Sequence, residues 1–281
     1  MKLQPHIKIL ILNWNGMEVI QKCLESVSKL KYNNYSVCMI DNGSIDESLA
    51  YVKKKFLDVE ILELDKNYGY SKGYNFIFKR YIDNTEIDYY LILNNDTVLC
   101  DSNILNILNN SLEKYGDKNI YSPTIIDNNN KIWFGGGKLI KLLGYTKHIG
   151  LNKILNFGKY KTRKTDYVSG CCMLIKKDLI DQLGGFNENY KMYYEDVDLC
   201  IKAKNNNIDC YIVDDVKIIH DFSSSFSGKF KFKKIFFKFK SLITFIYLHN
   251  NFIFFIPISL LHLILFPLYL IIYSMKVIFR K

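Results

Sequence analysis

The sequence predicts an α/β protein in which helices flank a mostly parallel β-sheet, followed by a hydrophobic helical segment at the carboxyl terminus. Short runs rich in Ile, Leu and Val alternate with helical patterns over the first third of the chain. This alternation is typical of parallel sheets with helices on both faces. Polar residues close three of the apolar runs, which indicates a ligand site at one sheet edge. The last long apolar run lacks charged residues, which favours a membrane-associated tail.

The elements of the first half follow from these patterns. Strands are predicted at His6–Asn13, Tyr35–Asp41, Val59–Leu64, Tyr89–Asn94 and Ile120–Ile126, and helices at Met17–Leu30, Asp46–Phe56, Ser71–Tyr81 and Asp101–Tyr115. Asp46 is placed to cap its helix, with Glu47 in the first turn. Residues 127–165 are rich in Gly, Asn and Lys and have no clear period, so a long loop is predicted there.

Regular patterns return after this loop. They predict a strand at Asp166–Ile175, helices at Lys177–Leu183 and Val197–Asn206, and strands at Ile208–Val213 and Val216–His220. A chain of 281 residues therefore accommodates one large α/β domain, residues 1–228, and a carboxyl-terminal segment, residues 229–281.

The net charge of +10 belongs almost entirely to the carboxyl-terminal segment. Residues 229–281 hold nine Lys and Arg and no Asp or Glu, which leaves 29 basic and 28 acidic residues in the rest of the chain. A nucleic-acid-binding domain would spread its cations over a folded surface, so this class of function is disfavoured. The seven cysteines form no C-x-x-C pair, and no secretory signal is apparent, so reduced thiols in the cytosol are expected.

The segment 229–281 has the composition of a membrane-associating element. Lys229–Lys240 alternates Lys with Phe and Ile, as expected of a helix lying on anionic lipid. Phe252–Met275 is long enough to span a bilayer core, although Pro257 and Pro267 are also compatible with a kinked or re-entrant hairpin. A helix packed on the protein's own core is the alternative.

Polar motifs follow three of the predicted strands. Asn13-Trp14-Asn15-Gly16, Asp41-Asn42-Gly43-Ser44 and Asn94-Asn95-Asp96 each close an apolar run. Asp41 could accept a hydrogen bond from a nucleobase or a ribose. Alternatively, it could form an Asx turn with the following Asn-Gly-Ser. Asp96 could bind Mg²⁺ or Mn²⁺, which prefer carboxylate oxygen, or lie in the N-cap region of the next helix.

The segment from Asn67 to Asn75 carries two glycines four residues apart, Gly69 and Gly73, where a strand leads into a helix. Glycine allows close approach of a ligand to the backbone, and a helix amino terminus offers free N–H groups. The G-x-G-x-x-G pattern of nicotinamide-binding enzymes is absent.

An acidic cluster, Glu195-Asp196-Val197-Asp198, begins the helix after Gly184-Gly185-Phe186. A general base must accept a proton from a reacting hydroxyl, and Asp196 is the candidate for that role. A solvated acidic first turn is the alternative. His220 ends the last strand and could bind a metal ion or a phosphate, or serve a structural role.

These motifs, in this order, resemble the family-2 glycosyltransferases of the GT-A (Rossmann-like) fold over roughly residues 6–225. They are most similar to the rhamnosyltransferase-like branch that builds bacterial surface polysaccharides. The resemblance implies that Glu195 and Asp196 are catalytic and that Asp96 and His220 bind Mg²⁺ or Mn²⁺. It also implies a nucleotide-sugar site at Asn13, Asn15, Gly16, Asp41, Asn42, Asn67, Gly69, Gly73, Asn75, Asn94 and Asn95. Asn94 departs from the family's D-x-D pattern, in which this position is acidic.

The resemblance implies an inverting transferase. Together with the expected cytosolic thiols, the carboxyl-terminal segment predicts that it associates with the cytoplasmic face of the cell membrane. Its donor would be a nucleotide-diphosphate sugar such as dTDP-rhamnose or a UDP-sugar, and its acceptor a lipid-linked saccharide or a polysaccharide. A catalytically inactive, membrane-tethered nucleotide-sugar-binding partner of another transferase is the alternative, and the intact Glu195-Asp196 pair argues against it. A nucleotidyltransferase is disfavoured because no cationic glycine-rich first loop is present.

Overall fold

The computed structural model describes residues 4–154, 162–221 and 231–278. The strands of the first half are β1 (Ile7–Asn13), β2 (Tyr35–Asp41), β3 (Val59–Glu63), β4 (Tyr89–Asn94), β5 (Thr97–Leu99) and β6 (Ile120–Ile126). The later strands are β7 (Ile132–Phe134), β8 (Gly137–Ile140), β9 (Tyr145–His148), β10 (Arg163–Thr165), β11 (Cys172–Lys176) and β12 (Cys210–His220). The helices are α1 (Met17–Val27), α2 (Ser48–Lys55), α3 (Tyr70–Arg80), α4 (Ile104–Tyr115), α5 (Lys177–Leu183), α6 (Glu195–Asn205), α7 (Lys231–His249) and α8 (Phe252–Ile278).

The main sheet has the strand order β10-β12-β6-β11-β4-β1-β2-β3. β3, β2, β1 and β4 are parallel to one another, and β6 and β12 run in the same direction. β11 is antiparallel to both of its neighbours, and β10 is antiparallel to β12. The α/β class and the largely parallel sheet are therefore confirmed. Buried side chains of the central strands, such as Ile9, Ile40 and Ile92, lie in one continuous core between sheet and helices.

The predicted loop over residues 127–165 is wrong in part, because it contains four short strands. β7 pairs with the edge of β6, β8 and β9 form a separate hairpin, and β10 pairs with β12. A 3₁₀ helix, Lys141–Leu143, joins the two strands of the hairpin. Strands of three or four residues are too short to show a period of two, and long-range pairing determines where they form.

Two strand predictions in the second half need correction. The predicted strand Asp166–Ile175 is replaced by the shorter strand β11, Cys172–Lys176, because Cys172 N–H bonds to Ser169 O and turns the chain before β11. The two predicted strands over residues 208–220 form the single strand β12, whose register shifts between Val213 and Lys217. A bulge of this kind breaks the apolar pattern without ending the strand.

The predicted start of α2 is wrong by two residues, because the helix begins at Ser48 with Glu47 as its N-cap residue and no acidic residue in its first turn. Asp46 nevertheless bonds to the starts of two helices. Its Oδ1 accepts from the N–H of Ser48, the first residue of α2, at 3.1 Å. Its Oδ2 accepts from the N–H of Met17, the first residue of α1, at 2.9 Å. One carboxylate therefore satisfies the free donors of two helices that begin at the same edge of the sheet.

The carboxyl-terminal segment is helical, and α7 packs on the α/β domain. Phe245 and Ile246 are fully buried, and Ser241 Oγ donates to Met192 O at 2.8 Å. His249 Nε2 lies 2.7 Å from Oδ1 of Asp198, a buried residue of α6. The packing of α7 thus follows the alternative of a helix against the protein's own core. Lys229 and the predicted boundary at residue 228 lie outside the described residues.

α8 continues through Pro257 and Pro267. Within the residues that the structure describes, none of the helices combines the length and the apolar character that crossing a membrane requires.

Candidate active site

The polar strand ends lie side by side at one edge of the sheet. Asn13 of β1 is in register with Asp41 of β2, and Leu12 of β1 is in register with Asn94 of β4. β12 runs in the same direction, so His220 at its end also reaches this edge. The sequence expectation that the three strand-end motifs converge is therefore confirmed.

Asn13 connects the ends of β2 and β4. Its side chain is fully buried, and its Nδ2 donates to Asp41 Oδ1 at 3.3 Å and to Ser48 Oγ at 2.9 Å. Its Oδ1 accepts from Asn95 Nδ2 at 2.8 Å. A Cβ at position 16 would lie 2.3 Å from both partners of this last bond, so glycine is required there. Gly16 thus allows the Asn13–Asn95 contact to form.

The turn after β2 holds the Asp41 carboxylate. Asp41 is almost completely buried, and its Oδ2 accepts from Ser44 N–H at 3.0 Å, so the Asx turn anticipated from the sequence is present. Asn15 has a positive φ of 49°, and its side chain accepts from Ile45 N–H at 2.8 Å. The turns after β1 and β2 are therefore fastened to each other.

Asn42 and Asn67 fix the loop that leads into α3. Asn42 Oδ1 accepts from Tyr68 N–H at 2.8 Å, and its Nδ2 donates to Gly69 O at 3.1 Å. Asn67 Oδ1 accepts from Gly69 N–H at 2.8 Å. Gly69 has a φ of +84°, and a Cβ there would lie 2.7 Å from Lys191 O. The glycine is needed because the backbone before the acidic cluster passes directly over it.

Asn75 holds the Gly-Gly-Phe turn against α3. Its Oδ1 accepts from Phe186 N–H at 3.0 Å, and its Nδ2 donates to Phe186 O at 2.8 Å. Gly73 packs against Leu12 of β1, where a Cβ would lie 2.7 Å from Leu12 Cδ1. These contacts assign positioning roles to Asn75 and Gly73, as the bonds above do to Asn13 and Asn42. Direct contact of these residues with a nucleotide sugar stays a prediction.

Asp96 and His220 form a buried pair. His220 Nε2 lies 3.0 Å from Asp96 Oδ1, and Asp221 N–H donates to Asp96 O at 2.8 Å. The ring of Trp133 in β7 packs on His220 at 4.8 Å between centroids. The Asp96 carboxylate suits either Mg²⁺ or Mn²⁺, whereas the imidazole of His220 suits a transition metal, so the pair fits Mn²⁺ better than Mg²⁺. Among the described residues, no group of three or more His, Cys, Asp or Glu could enclose a metal ion. The assignment of Asp96 and His220 as metal ligands stays a prediction.

Glu195 and Asp196 begin α6 at the same edge. Asp196 Oδ2 accepts from Gly170 N–H at 3.0 Å, and Oδ1 accepts from Val197 N–H at 2.8 Å. Gly170 is followed by Cys171, whose carbonyl accepts from Asn94 N–H at 2.9 Å. The antiparallel strand β11 thus brings its amino-terminal turn to the carboxyl end of β4, and Asp196 is held there.

The two neighbouring carboxyl groups differ in their proton affinity. Burial raises the pKa of Glu195 well above its ordinary range, and the charge of Asp196 raises it further. Burial also raises the pKa of Asp196, but the N–H groups of Gly170 and Val197 act in the opposite direction. Glu195 Oε2 is buried and has no hydrogen-bond partner among the described residues. Asp196 is therefore the member of the pair that ionises more readily.

The backbone before this pair is strained. Tyr193 and Tyr194 have φ values of 70° and 69°, a left-handed conformation that residues with a Cβ rarely adopt. Tyr194 Oη donates to Gly144 O at 2.8 Å, and its ring packs on Phe245 of α7. Strain of this kind persists only where surrounding contacts enforce it, and it is concentrated at functional sites.

Sequence reasoning missed Gly170 and Tyr70. Tyr70 Oη donates to Gly170 O at 2.7 Å, while Gly170 N–H binds Asp196. A Cβ at position 170 would lie 2.5 Å from Tyr70 Oη, so the contact requires glycine. The available signal was a glycine within a segment that resembled a strand, which often marks a close backbone approach.

We expect Glu195→Gln to raise the melting temperature at neutral pH but not at acidic pH. The folded protein holds the Glu195 proton more tightly than the unfolded chain, because the pKa is raised on folding. The stability due to this proton is complete below the unfolded pKa and is lost as the pH rises through the folded pKa. Glutamine cannot ionise, so the difference from wild type should widen as the pH increases.

Melting curves between pH 4.5 and 8, recorded by circular dichroism, measure this difference. Glu18→Gln on the exposed face of α1 is the matched control and should differ from wild type equally at each pH. A melting-temperature difference for Glu195→Gln that does not change with pH would show that burial does not raise the pKa of Glu195.

Comparison with known proteins agrees with the fold. The GalNAc-T7 structure with UDP, GalNAc and Mn²⁺ superposes with a TM-score of 0.63 at 13% identity, covering 79% of this chain and 45% of that one. An S. aureus TarS segment in complex with UDP superposes with a TM-score of 0.60 at 16% identity, covering 87% and 65%. At these identities the likeness concerns the fold, which is GT-A-like.

Comparison with similar sequences identifies the family. The chain is 25% identical over 215 residues to the low-salt glycan biosynthesis hexosyltransferase Agl10 of Haloferax volcanii, covering 74% of this chain and 66% of Agl10. It is 23% identical over 197 residues to the N-acetylglucosaminyl-diphospho-decaprenol L-rhamnosyltransferase of Mycobacterium tuberculosis, covering 64% of each. The chain thus spans just under two thirds of the length of these relatives. The sequence profile of glycosyl transferase family 2 matches residues 8–184, well over half of the chain, and the protein belongs to that family.

Proposed function

We propose that this protein transfers a sugar, with inversion, from a nucleotide-diphosphate sugar to a hydroxyl group of a lipid-linked saccharide. The observation that carries the proposal is the convergence of Asp41, the Asp96–His220 pair and the Glu195–Asp196 pair on one edge of the sheet. In open α/β sheets, ligands bind outside the carboxyl ends of the strands.

The donor binds along this edge in the proposed arrangement. Its nucleoside lies near Asp41 and the Asn67–Asn75 loop, where the Asn13 and Asn42 bonds hold the backbone in place. Its diphosphate lies toward Asp96. The preceding residue, Asn95, bonds to Asn13 and so connects this part of the site to the part that holds the nucleoside. Asn94 is half-buried at the end of β4 and replaces the first acidic residue of the family's D-x-D pattern with a neutral amide.

Asp96 and His220 would hold the divalent cation, Mg²⁺ or Mn²⁺. Such an ion neutralises the charge that develops on a departing nucleoside diphosphate. The carboxylate and imidazole are already adjacent in the fold, and the pair is shielded on one side by the ring of Trp133.

Asp196 accepts the proton of the acceptor hydroxyl in the proposed reaction. The hydroxyl oxygen bonds to the anomeric carbon from the face opposite the leaving group, while the bond to the nucleoside diphosphate breaks. A single displacement of this kind inverts the anomeric centre. A raised pKa makes Asp196 a stronger base, and its two N–H donors keep the ionised form accessible.

The relatives supply the substrate classes. One of them is named for the transfer of L-rhamnose to N-acetylglucosaminyl-diphospho-decaprenol, and the other for hexose transfer in glycan biosynthesis. A donor such as dTDP-rhamnose or a UDP-sugar and an acceptor on a polyprenyl diphosphate are therefore proposed here.

We expect Asp196→Asn to retain nucleotide-sugar binding and to lose about 10²–10⁴-fold in turnover, the range that general-base catalysis contributes. A thermal-shift screen of nucleotide sugars identifies the donor, because a ligand that binds only the folded state raises its melting temperature. Release of nucleoside diphosphate, with and without a polyprenyl-diphosphate saccharide, then measures turnover.

Asp215→Asn, at an exposed position of β12, is the matched control and should retain wild-type turnover. Near-normal turnover by Asp196→Asn would remove Asp196 from the role of base. Binding of nucleotide sugars without any turnover by the wild-type protein would instead favour the inactive-partner alternative.

We also propose that the protein acts on the cytoplasmic face of the cell membrane, bound through its carboxyl-terminal helices. Phe252, Ile253 and Leu263 are among the exposed apolar side chains of α8. The segment 229–281 adds nine basic residues and no acidic ones, which suits a surface of anionic lipid.

The full chain should therefore float with vesicles of phosphatidylcholine and phosphatidylglycerol, and less with phosphatidylcholine alone. Ile253→Asp should weaken this partition at least about tenfold, because burial of an Ile side chain contributes roughly 1.5–3 kcal/mol. Ile45→Asp replaces an even more exposed isoleucine of the α/β domain and should have no effect. Absent flotation, or equal loss in both variants, would contradict membrane binding through α8.

A further inference from the structure

An apolar groove lies between α7, α8 and the β8–β9 hairpin. Its volume is about 270 Å³, and its walls include Tyr194, Phe239, Leu242, His262 and Leu265. The rings of Phe239 and Phe266 meet across the two helices at 4.3 Å between centroids. His262 Nε2 lies 3.0 Å from Leu143 O and fastens α8 to the hairpin. The volume is close to the roughly 300 Å³ of small ligand pockets, and the apolar lining suits a hydrocarbon chain better than a saccharide.

The groove adjoins the candidate catalytic pair. Tyr194 forms part of its wall and directly precedes Glu195 and Asp196.

Within the part of the chain that the structure describes, Lys238 is the single lysine that lines the groove, and no acidic residue lines it. Lys238 is exposed and lines the groove, so its ammonium group is accessible to a ligand that lies against the apolar walls. An anionic group of such a ligand would complement this cation. The groove thus combines an apolar channel with one cationic contact.

The apolar surface continues beyond the groove along α8. Leu261 and Ile264 are exposed on this helix, next to the groove residues His262 and Leu265. A hydrocarbon chain leaving the groove would therefore remain on apolar surface.

We infer that this groove binds the acceptor, taking the first part of its polyprenyl chain against Phe239, Leu242 and Leu265 and its diphosphate against Lys238. The inference rests on the proposed function, which it extends by assigning the acceptor to a site in this chain. Held in this way, the acceptor's saccharide extends past Tyr194 toward Asp196.

Binding of farnesyl diphosphate to the purified full chain in detergent tests the inference, with isothermal titration calorimetry as the measurement. Lys238→Gln should weaken binding at least about tenfold, because a charge-assisted contact is lost. Leu265→Trp should weaken it similarly by narrowing the groove. Lys240→Gln, on the same helix, and Leu263→Trp, at an exposed position of α8 outside the groove, are matched controls that should bind as wild type does.

Equal losses in the control variants, or no loss in Lys238→Gln and Leu265→Trp, would overturn the inference. Equally strong competition by dioleoylphosphatidylglycerol would also overturn it, because the groove would then be a general membrane-lipid site. Thermal shifts of the same variants with UDP and dTDP measure nucleotide binding. A wild-type shift in a groove variant shows that the variant is folded and that its donor site is intact. Lack of nucleotide binding in wild type would count against the proposed function, whereas selective loss of farnesyl diphosphate binding supports the groove.

Discussion

The hydrogen bonds of the Asn13 side chain are the constraint on which the site depends. Asn13 is fully buried at the end of β1 and joins Asp41 of β2 to Asn95, the residue after β4. Because β1 lies between β2 and β4 in the sheet, one amide sets the spacing between the nucleoside and diphosphate regions of the candidate site. The glycine at position 16 is a consequence, since a side chain there would occupy the space of the Asn13–Asn95 bond.

Four carboxyl groups of the candidate site lie buried or half-buried at this edge, and the fold stabilises each in a different way. Asp41 accepts from an amide and a backbone N–H, and Asp96 lies against an imidazole. Asp196 accepts from two backbone N–H groups, whereas Glu195 is held in surroundings that favour its protonated form. A buried carboxylate without such partners would be costly, so the differences in environment allow different roles for chemically similar groups.

The sequence predicted the parts of the structure that local pattern determines. The strands Tyr35–Asp41, Tyr89–Asn94 and Ile120–Ile126 have the predicted bounds, and their common direction placed the polar motifs together. Gly170 and the short strands of residues 127–165 were missed, because long-range pairing and the antiparallel insertion of β11 decide their positions. The positioning role of Asn75 was missed as well, because its partner Phe186 is distant in sequence. The contacts of α7 are also with residues distant in sequence, so its packing on the α/β domain remained an alternative to membrane association.

A diffraction experiment on crystals grown with a nucleoside diphosphate and Mn²⁺ tests the central claim most directly. The nucleotide is expected along the edge formed by Asp41, Asp96 and Asp196, with an anomalous Mn²⁺ peak shared by its diphosphate, Asp96 and His220. A nucleotide bound on another surface, or a Mn²⁺ peak away from both Asp96 and the diphosphate, would contradict the account.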